Sequence, residues 1–195
     1  MQNAIIMHGT CDKSEYYDPA FPSLSNNHWQ PWLQKQLLIQ GIAAATPEIP
    51  DAFRPPHYST WRREFERFDV RPDTILVGHS CGGGFLLRWL SEHPQLQVGI
   101  VVLVAPWIDP GHKESEDFFE FHLDPDLADR TQRLTVFESD NDHLSVTESL
   151  NQLRAQLRHI HWQKFHNYGH FCIEDMHTEA FPELLEALVH PARTT

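Results

Sequence analysis

The segment Gly78-His79-Ser80-Cys81-Gly82 places a serine between two glycines with the spacing Gly-x-Ser-x-Gly. A serine hydroxyl attacks a carbonyl carbon when a neighbouring base takes its proton. The apolar run Thr74–Val77 comes directly before the motif, and a helical pattern follows it. A sharp turn between strand and helix exposes such a serine and aims a helix N-terminus at the developing oxyanion. The motif therefore predicts that Ser80 is the nucleophile of an acyl transfer; the alternative is a tightly packed glycine turn without chemistry.

A base for this serine must be chosen among 14 histidines, so position has to decide. His170 follows the last predicted strand and stands beside Gly169, which lets the backbone turn sharply. Loops at the carboxyl edge of a parallel sheet meet where such folds bind ligands. His159, His161 and His166 lie in or near the strand, where a structural role is expected. We therefore predict His170 as the base, with a surface loop histidine as the alternative.

The acid that orients the base should follow the run Leu134–Phe137, because serine, acid and histidine come in that order along chains of this arrangement. Two candidates stand in the next segment, Asp140 and Asp142. Asp142 lies nearest the following helix and is preferred, whereas Asp140 is suited to capping the loop through its own backbone. Asp109, after the preceding strand, is a third candidate. Position favours Asp142 without excluding the other two.

An oxyanion needs two backbone N–H donors, and both should lie close to the nucleophile. One should come from Cys81, the residue after the serine. The other should come from the loop after the first strand, which reads His8-Gly9-Thr10-Cys11. We predict the N–H of Thr10 for this second donor, with that of Cys11 as the alternative.

Apolar runs and helical patterns alternate along the chain. Six runs are typical of strands: Ala4–Met7, Ile42–Ala45, Thr74–Val77, Ile100–Ala105, Leu134–Phe137 and Ile160–Phe165. Helical patterns separate or follow them at 32–40, 61–68, 85–90, 146–157 and 181–189. This alternation predicts an α/β fold of about six mostly parallel strands with helices on both faces. Nothing divides the sequence, so residues 1–195 are expected to form a single domain.

The segment Trp107–Arg130 has no clear period and is rich in acidic residues. It leaves a strand at the predicted catalytic edge, so Trp107, Phe118 and Phe119 are candidate substrate-binding residues that would line an apolar wall. The alternative is that these aromatic rings simply cover the sheet. The acidic residues could favour a substrate with an amino group, but a solvated acidic loop is the simpler interpretation.

Composition restricts the classes of partner. The net charge of −12 repels phosphate backbones and anionic lipids, so neither nucleic acid nor a membrane is expected as a partner. The three cysteines have no metal-binding spacing and suit a reducing compartment. The protein is therefore expected to be cytoplasmic. The chemistry predicted for Ser80 needs no metal or cofactor and acts on a small acyl substrate, and a monomer or small homo-oligomer is expected.

Several segments together resemble the compact serine hydrolases related to retinoblastoma-binding protein 9, within the α/β-hydrolase superfamily. The matching segments occur in the same order along nearly the whole chain: Asn27-His28-Trp29 with Trp32-Leu33, Trp61, Gly78-His79-Ser80, Ile100–Ala105, the loop before Asp142, and Gly169-His170-Phe171. The resemblance implies a triad of Ser80, Asp142 and His170, a six-stranded sheet and no large cap domain. The chemistry predicted for Ser80 is that of a serine hydrolase that cleaves small esters or amides through an acyl-enzyme intermediate, and the resemblance does not settle its substrate. An aminopeptidase-like amide hydrolase and a protein-binding module with a vestigial triad remain alternatives.

Overall fold

The computed structural model describes residues 1–115 and 117–189 of the chain. Glu116, one of the acids of the segment Trp107–Arg130, lies outside the described residues. So do the last six positions of the predicted domain.

Six parallel strands form one sheet in the order β2-β1-β3-β4-β5-β6. They are β1 (Asn3–Met7), β2 (Ala43–Ala45), β3 (Ile75–His79), β4 (Val98–Val104), β5 (Thr131–Ser139) and β6 (His161–Phe165). All six predicted runs became strands. The central strands β3 and β4 are buried along their whole length, which explains why the sequence is apolar at successive positions there.

Seven α-helices are present within the described residues. They are α1 (Lys13–Tyr16), α2 (Gln30–Ile39), α3 (Tyr58–Phe65), α4 (Cys81–Glu92), α5 (Leu144–Gln156), α6 (Ile173–Met176) and α7 (Pro182–Val189). Short 3₁₀ helices cover Leu24–Asn26 and Leu127–Arg130. The predicted α/β architecture, a six-stranded parallel sheet with helices and no large cap, is confirmed. None of the helices in the described part of the chain is long and apolar enough to cross a membrane.

Helix α4 begins earlier than the sequence pattern indicated. The glycines Gly82–Gly84 were expected to form a turn before a helix at Phe85, but the helix already starts at Cys81. The segment after β4 approaches this helix too closely for a side chain at these positions. A Cβ on Gly83 would lie 2.9 Å from Cβ of Pro106, and one on Gly84 would meet the carbonyl oxygen of Trp107. The glycines therefore serve close packing within a helix rather than a turn.

The core consists of aromatic and aliphatic side chains on both faces of the sheet. On one side Trp61 of α3 packs against Phe85 of α4, with ring centroids 5.7 Å apart. Elsewhere Trp29 packs against Phe181, which precedes α7. All four side chains are fully buried. Burying a large apolar side chain contributes about 1.5–3 kcal/mol, so these clusters hold the helices, and with them the ends of the central strands, in fixed positions.

Candidate active site

Ser80 lies on the sharp turn between β3 and α4. Its backbone angles are φ 53° and ψ −121°, a strained conformation for a residue other than glycine. Its N–H donates to the carbonyl oxygen of Val104 at the end of β4 (2.9 Å), and its own carbonyl accepts from the N–H of Trp107 (3.0 Å). The neighbouring strand β4, through Val104, and the loop after it, through Trp107, thus hold the turn in place.

The two motif glycines allow the turn to pack tightly. A Cβ on Gly78 would lie 2.7 Å from the carbonyl oxygen of Gly82, inside the turn itself. A Cβ on Gly82 would lie 2.6 Å from the carbonyl oxygen of Met7 and would also meet that of His8. The spacing of the motif therefore has a steric cause at both positions.

Three side chains from different loops form a continuous chain of hydrogen bonds. His170 Nε2 lies 2.9 Å from Ser80 Oγ, and His170 Nδ1 lies 2.9 Å from Asp142 Oδ1 and 3.2 Å from Oδ2. With a neutral imidazole, Nδ1–H donates to the carboxylate and Nε2 accepts from the serine hydroxyl. The Asp142 side chain is fully shielded from solvent, and that of His170 is 15% exposed. This arrangement can accept a proton from Ser80 and stabilise the resulting imidazolium.

The other two acid candidates make different contacts. Asp140 accepts from the N–H of Asn167 (3.0 Å) and pairs with His166 Nδ1 (2.6 Å); these two interactions lower the pKa of Asp140. Asp109 accepts from Ser115 Oγ (2.7 Å) within its own loop. Both carboxylates therefore organise loops and leave Asp142 as the acid that contacts His170.

Neighbouring residues hold the backbone on either side of His170. Its carbonyl accepts from His79 Nε2 (2.8 Å), and its N–H donates to Asp175 Oδ2 (2.8 Å). The next carbonyl, that of Phe171, accepts from Trp29 Nε1 (3.1 Å). Burial places the pKa of His79 well below its ordinary value, so this imidazole is neutral and donates one N–H. The sequence analysis identified neither contact, because a hydrogen bond between a side chain and a backbone atom leaves no pattern in the sequence.

The loop after β1 also lies against the nucleophile. A Cβ on Gly9 would lie 3.1 Å from Cβ of Ser80, so this position admits no larger residue without adjustment. The next residue, Thr10, borders the same cavity as Ser80. Cys81 is the first residue of α4, where a backbone N–H has no partner within the helix. The two predicted oxyanion donors therefore belong to segments that adjoin Ser80, and their role stays a prediction.

His8 holds the carbonyl group of Gly9 in place within this loop. Its Nδ1–H donates to the carbonyl oxygen of Gly9 (2.7 Å), and its Nε2 accepts from the N–H of Ile49 (3.1 Å). Burial lowers the pKa of His8, which keeps the imidazole neutral and lets it act as donor and acceptor at once. The peptide group between Gly9 and Thr10 is thereby held in one orientation.

A cavity of about 710 Å³ opens above Ser80 and His170. Trp107, one of the three predicted wall residues, lines it. Phe118 and Phe119 do not: their side chains are 0% and 6% exposed and pack in the core, where Phe118 contacts Trp61 at 5.4 Å between ring centroids. Phe118 and Phe119 therefore do not form a pocket wall. They cover the sheet, which was the alternative prediction, and their apolar surface packs against α3 and α4.

Carboxylates dominate the charge of this cavity. Five acidic side chains line it: Asp12, Glu15, Glu114, Glu174 and Glu179. The single cationic side chain among the described lining residues is Arg54, which pairs with Asp12 and, at 3.1 Å, with Glu114. Burial, reinforced by Asp12 and Glu174, raises the pKa of Glu15. Only Glu114 comes from the acidic segment that the sequence singled out; the others come from distant parts of the chain.

One group of side chains has the composition of a metal site. His28, Cys172 and Glu174 each place a possible ligand atom within 4.8 Å of the other two. However, His28 Nδ1 already accepts from the N–H of Ile173 (3.2 Å), and burial raises the pKa of the Cys172 thiol to about 12. In this state His28 supports the start of α6 behind the His170 loop, and the thiol is protonated.

The sheet order and the serine turn define the α/β-hydrolase fold. The chain belongs to the serine hydrolase family, whose sequence model matches residues 19–190. It is 27% identical over 183 residues to the YdeN protein of Bacillus subtilis (strain 168), covering 90% of this chain and 94% of that protein. The more specific resemblance to relatives of retinoblastoma-binding protein 9 stays a prediction.

Solved structures agree with this fold. The crystal structure of the ydeN gene product from B. subtilis superposes with a TM-score of 0.74 at 23% identity, covering 96% of both chains. A pyrethroid hydrolase from Sphingobium faniae JZ-2 gives a TM-score of 0.64 at 11% identity over 99% of both chains. XC6422 from Xanthomonas campestris, described as an α/β serine hydrolase without a lid, gives 0.56 at 16% identity over 98% of this chain and 81% of its own.

Proposed function

We propose that this protein hydrolyses small esters through an acyl-enzyme intermediate on Ser80. The observation that carries the proposal is the unbroken line of hydrogen bonds from Asp142 through His170 to Ser80, which ends at an open cavity. Membership of the serine hydrolase family supports it. No step of this reaction requires a metal or an organic cofactor.

The steps follow from the geometry. Ser80 Oγ attacks the ester carbonyl while His170 Nε2 takes its proton, and Asp142 holds the imidazole in the tautomer that can accept it. The N–H groups of Cys81 and Thr10 stabilise the oxyanion. The imidazolium then gives the proton to the leaving alkoxide, and a water molecule repeats the sequence to release the acid.

A fluorophosphonate probe tests for the activated serine. Wild-type protein is expected to be labelled covalently, and Ser80→Ala and His170→Ala are expected to lose labelling, because the reaction needs both the hydroxyl and its base. Ser59→Ala, an exposed serine on α3, is the control and should be labelled like the wild type. Absence of labelling in folded wild type would contradict the proposal and favour a binding role.

The acidic cavity favours a second candidate, hydrolysis of aminoacyl esters or amides. A cationic amine near Glu15 would relieve the repulsion between this carboxylate and its neighbours Asp12 and Glu174. We expect a free amino-acid ester to have a kcat/KM about tenfold above that of its N-acetylated form, and the preference to weaken at high salt. Glu15→Gln should reduce this preference, whereas Glu186→Gln, which changes an exposed side chain of α7, is the control. Equal rates for both esters would remove this candidate.

A further inference from the structure

The turn that carries His170 has a backbone conformation that needs support from its surroundings. Gly169 (φ 51°) and Phe171 (φ 59°), on either side of His170, both lie in the left-handed region. The N–H of Phe171 closes the turn by donating to the carbonyl oxygen of Tyr168 (2.8 Å). A residue other than glycine is uncommon in this region and persists where surrounding contacts hold it. The position of the His170 imidazole therefore depends on the contacts that hold this turn.

One hydrogen bond holds the turn at His170 itself. His79 Nε2–H donates to the carbonyl oxygen of His170 (2.8 Å), and His79 is only 3% exposed. Cys172 Sγ lies 3.8 Å from the same oxygen, and a thiol is a weak donor. Because His79 is almost fully shielded from solvent, water does not readily replace its N–H. Loss of this donor would therefore cost the carbonyl group its strong hydrogen bond within the described part of the chain.

His79 is also the residue directly before the nucleophile. Its backbone is bonded to Ser80, and its side chain is hydrogen-bonded to the backbone of His170. The side chains of Ser80 and His170 are in turn 2.9 Å apart, between Oγ and Nε2. These links close a ring, so the hydrogen bond from His79 helps to set the distance between the serine and its base. Asp142 contacts the other nitrogen, Nδ1, and so orients the imidazole from its far side.

Neighbouring rings hold the His79 imidazole in place. Trp29 packs edge-on against it at 5.6 Å between ring centroids, and His28 does so at 5.8 Å. The His170 ring lies 5.1 Å away. Burial holds the pKa of His79 well below its ordinary value, and the neighbouring histidines act in the same direction. A neutral donor can hold the carbonyl group without repelling the positive charge that forms on His170 during the reaction.

We propose that His79 is a positioning residue, which sets the distance from His170 Nε2 to Ser80 Oγ by holding the backbone carbonyl of His170. This rests on the proposed function and adds to it a residue that is not among the described residues lining the cavity above Ser80. Misplacing a reacting group by about 1 Å can cost about 10²-fold in rate. Because His79 does not border the cavity, its effect belongs to kcat and not to KM.

Two substitutions of His79 test this role. Leucine fills a similar volume without a donor, whereas the amide of glutamine offers an N–H at about the position of the imidazole Nε2. With para-nitrophenyl acetate, His79→Leu is expected to lower kcat about 10²-fold at unchanged KM, and His79→Gln to be about tenfold or more faster than His79→Leu. The rate of fluorophosphonate labelling should follow the same order, because it needs the same proton transfer from Ser80 to His170.

Phe65→Leu is the control for a general loss of stability. Phe65 is fully buried and packs against Phe85 and Trp89, at 5.3 and 4.8 Å between ring centroids. Its replacement should lower the midpoint of urea unfolding and leave kcat within about threefold of the wild type, because only packing between α3 and α4 is lost.

Four results would each overturn the positioning role: wild-type kcat in His79→Leu, no recovery in His79→Gln, a loss confined to KM, or an equal loss of kcat in Phe65→Leu. A folded wild type that is neither labelled nor able to hydrolyse the ester would contradict the proposed function itself. That result differs from all four, since each of them requires an active wild type.

Discussion

Replacing Asp142 with asparagine is expected to lower kcat for an activated ester by about 10⁴-fold, the loss typical of a triad whose acid is neutralised. An asparagine can donate an N–H to Nδ1 and so stabilise the tautomer that carries the proton on Nε2, where Ser80 needs an acceptor. The Asp142 side chain is fully shielded, so water cannot substitute for the carboxylate. Steady-state kinetics with para-nitrophenyl acetate measure the effect.

Asp140→Asn is the matched control for this experiment, because it makes the same chemical change two residues away. Asp140 contacts His166 and the N–H of Asn167. Neither residue takes part in the hydrogen bonds that connect Asp142, His170 and Ser80. We expect kcat to fall by less than about tenfold. Comparable losses in both variants would show that the loop as a whole matters, and a larger loss in Asp140→Asn would reverse the assignment of the acid.

Gly82→Ala is expected to lower the free energy of unfolding by about 3 kcal/mol or more, because overpacking in a closely packed interior is costly. Helix propensity alone predicts the opposite sign, since alanine in a helix is about 0.5–1 kcal/mol more favourable than glycine. The steric effect dominates because the new methyl group would press on the carbonyl oxygens of Met7 and His8. Neither is the flexible end of a side chain. Urea denaturation followed by circular dichroism measures the difference.

Gly111→Ala is the control for this substitution. Gly111 is exposed, and a Cβ there would lie 3.4 Å from Cε of Lys113, which is a flexible side chain. We expect a change within about 0.5 kcal/mol. If Gly82→Ala were as stable as Gly111→Ala, the backbone of β1 would have to yield at this contact, and the steric reading of the motif would be wrong.

The order of elements was readable from the sequence because parallel strands buried on both faces are continuous apolar runs. The run Ile100–Ala105 predicted β4 in this way, although the strand begins two residues earlier, at Val98. The start of α4 was predicted incorrectly. Glycine disfavours helices locally, so a sequence pattern assigns Gly82–Gly84 to a turn; the need for close contact with Pro106 and Trp107 reverses that preference.

The candidate site, as the structure arranges it, could be anticipated only in part. Ser80 is marked by a local motif with a steric cause, and His170 by its place after the last strand. The choice between Asp142 and Asp140 could not be made from the sequence, because it depends on which carboxylate contacts the imidazole of His170. In the structure Asp140 is hydrogen-bonded to His166 and Asn167, and Asp142 contacts His170. Phe118 and Phe119 were proposed as a pocket wall because aromatic residues suit both a wall and a core.

The sequence by itself determined the strand and helix order, the serine turn and the chain positions from which a base and an acid had to come. These features are local, since periodicity and glycine spacing act over a few residues. Tertiary structure alone decided which distant segments meet: it places His79 against the carbonyl of His170, and it brings Glu15 within electrostatic reach of Glu174. The physical reason is that cavities, hydrogen-bond partners and charge clusters depend on how elements pack against one another, and no local pattern encodes that packing.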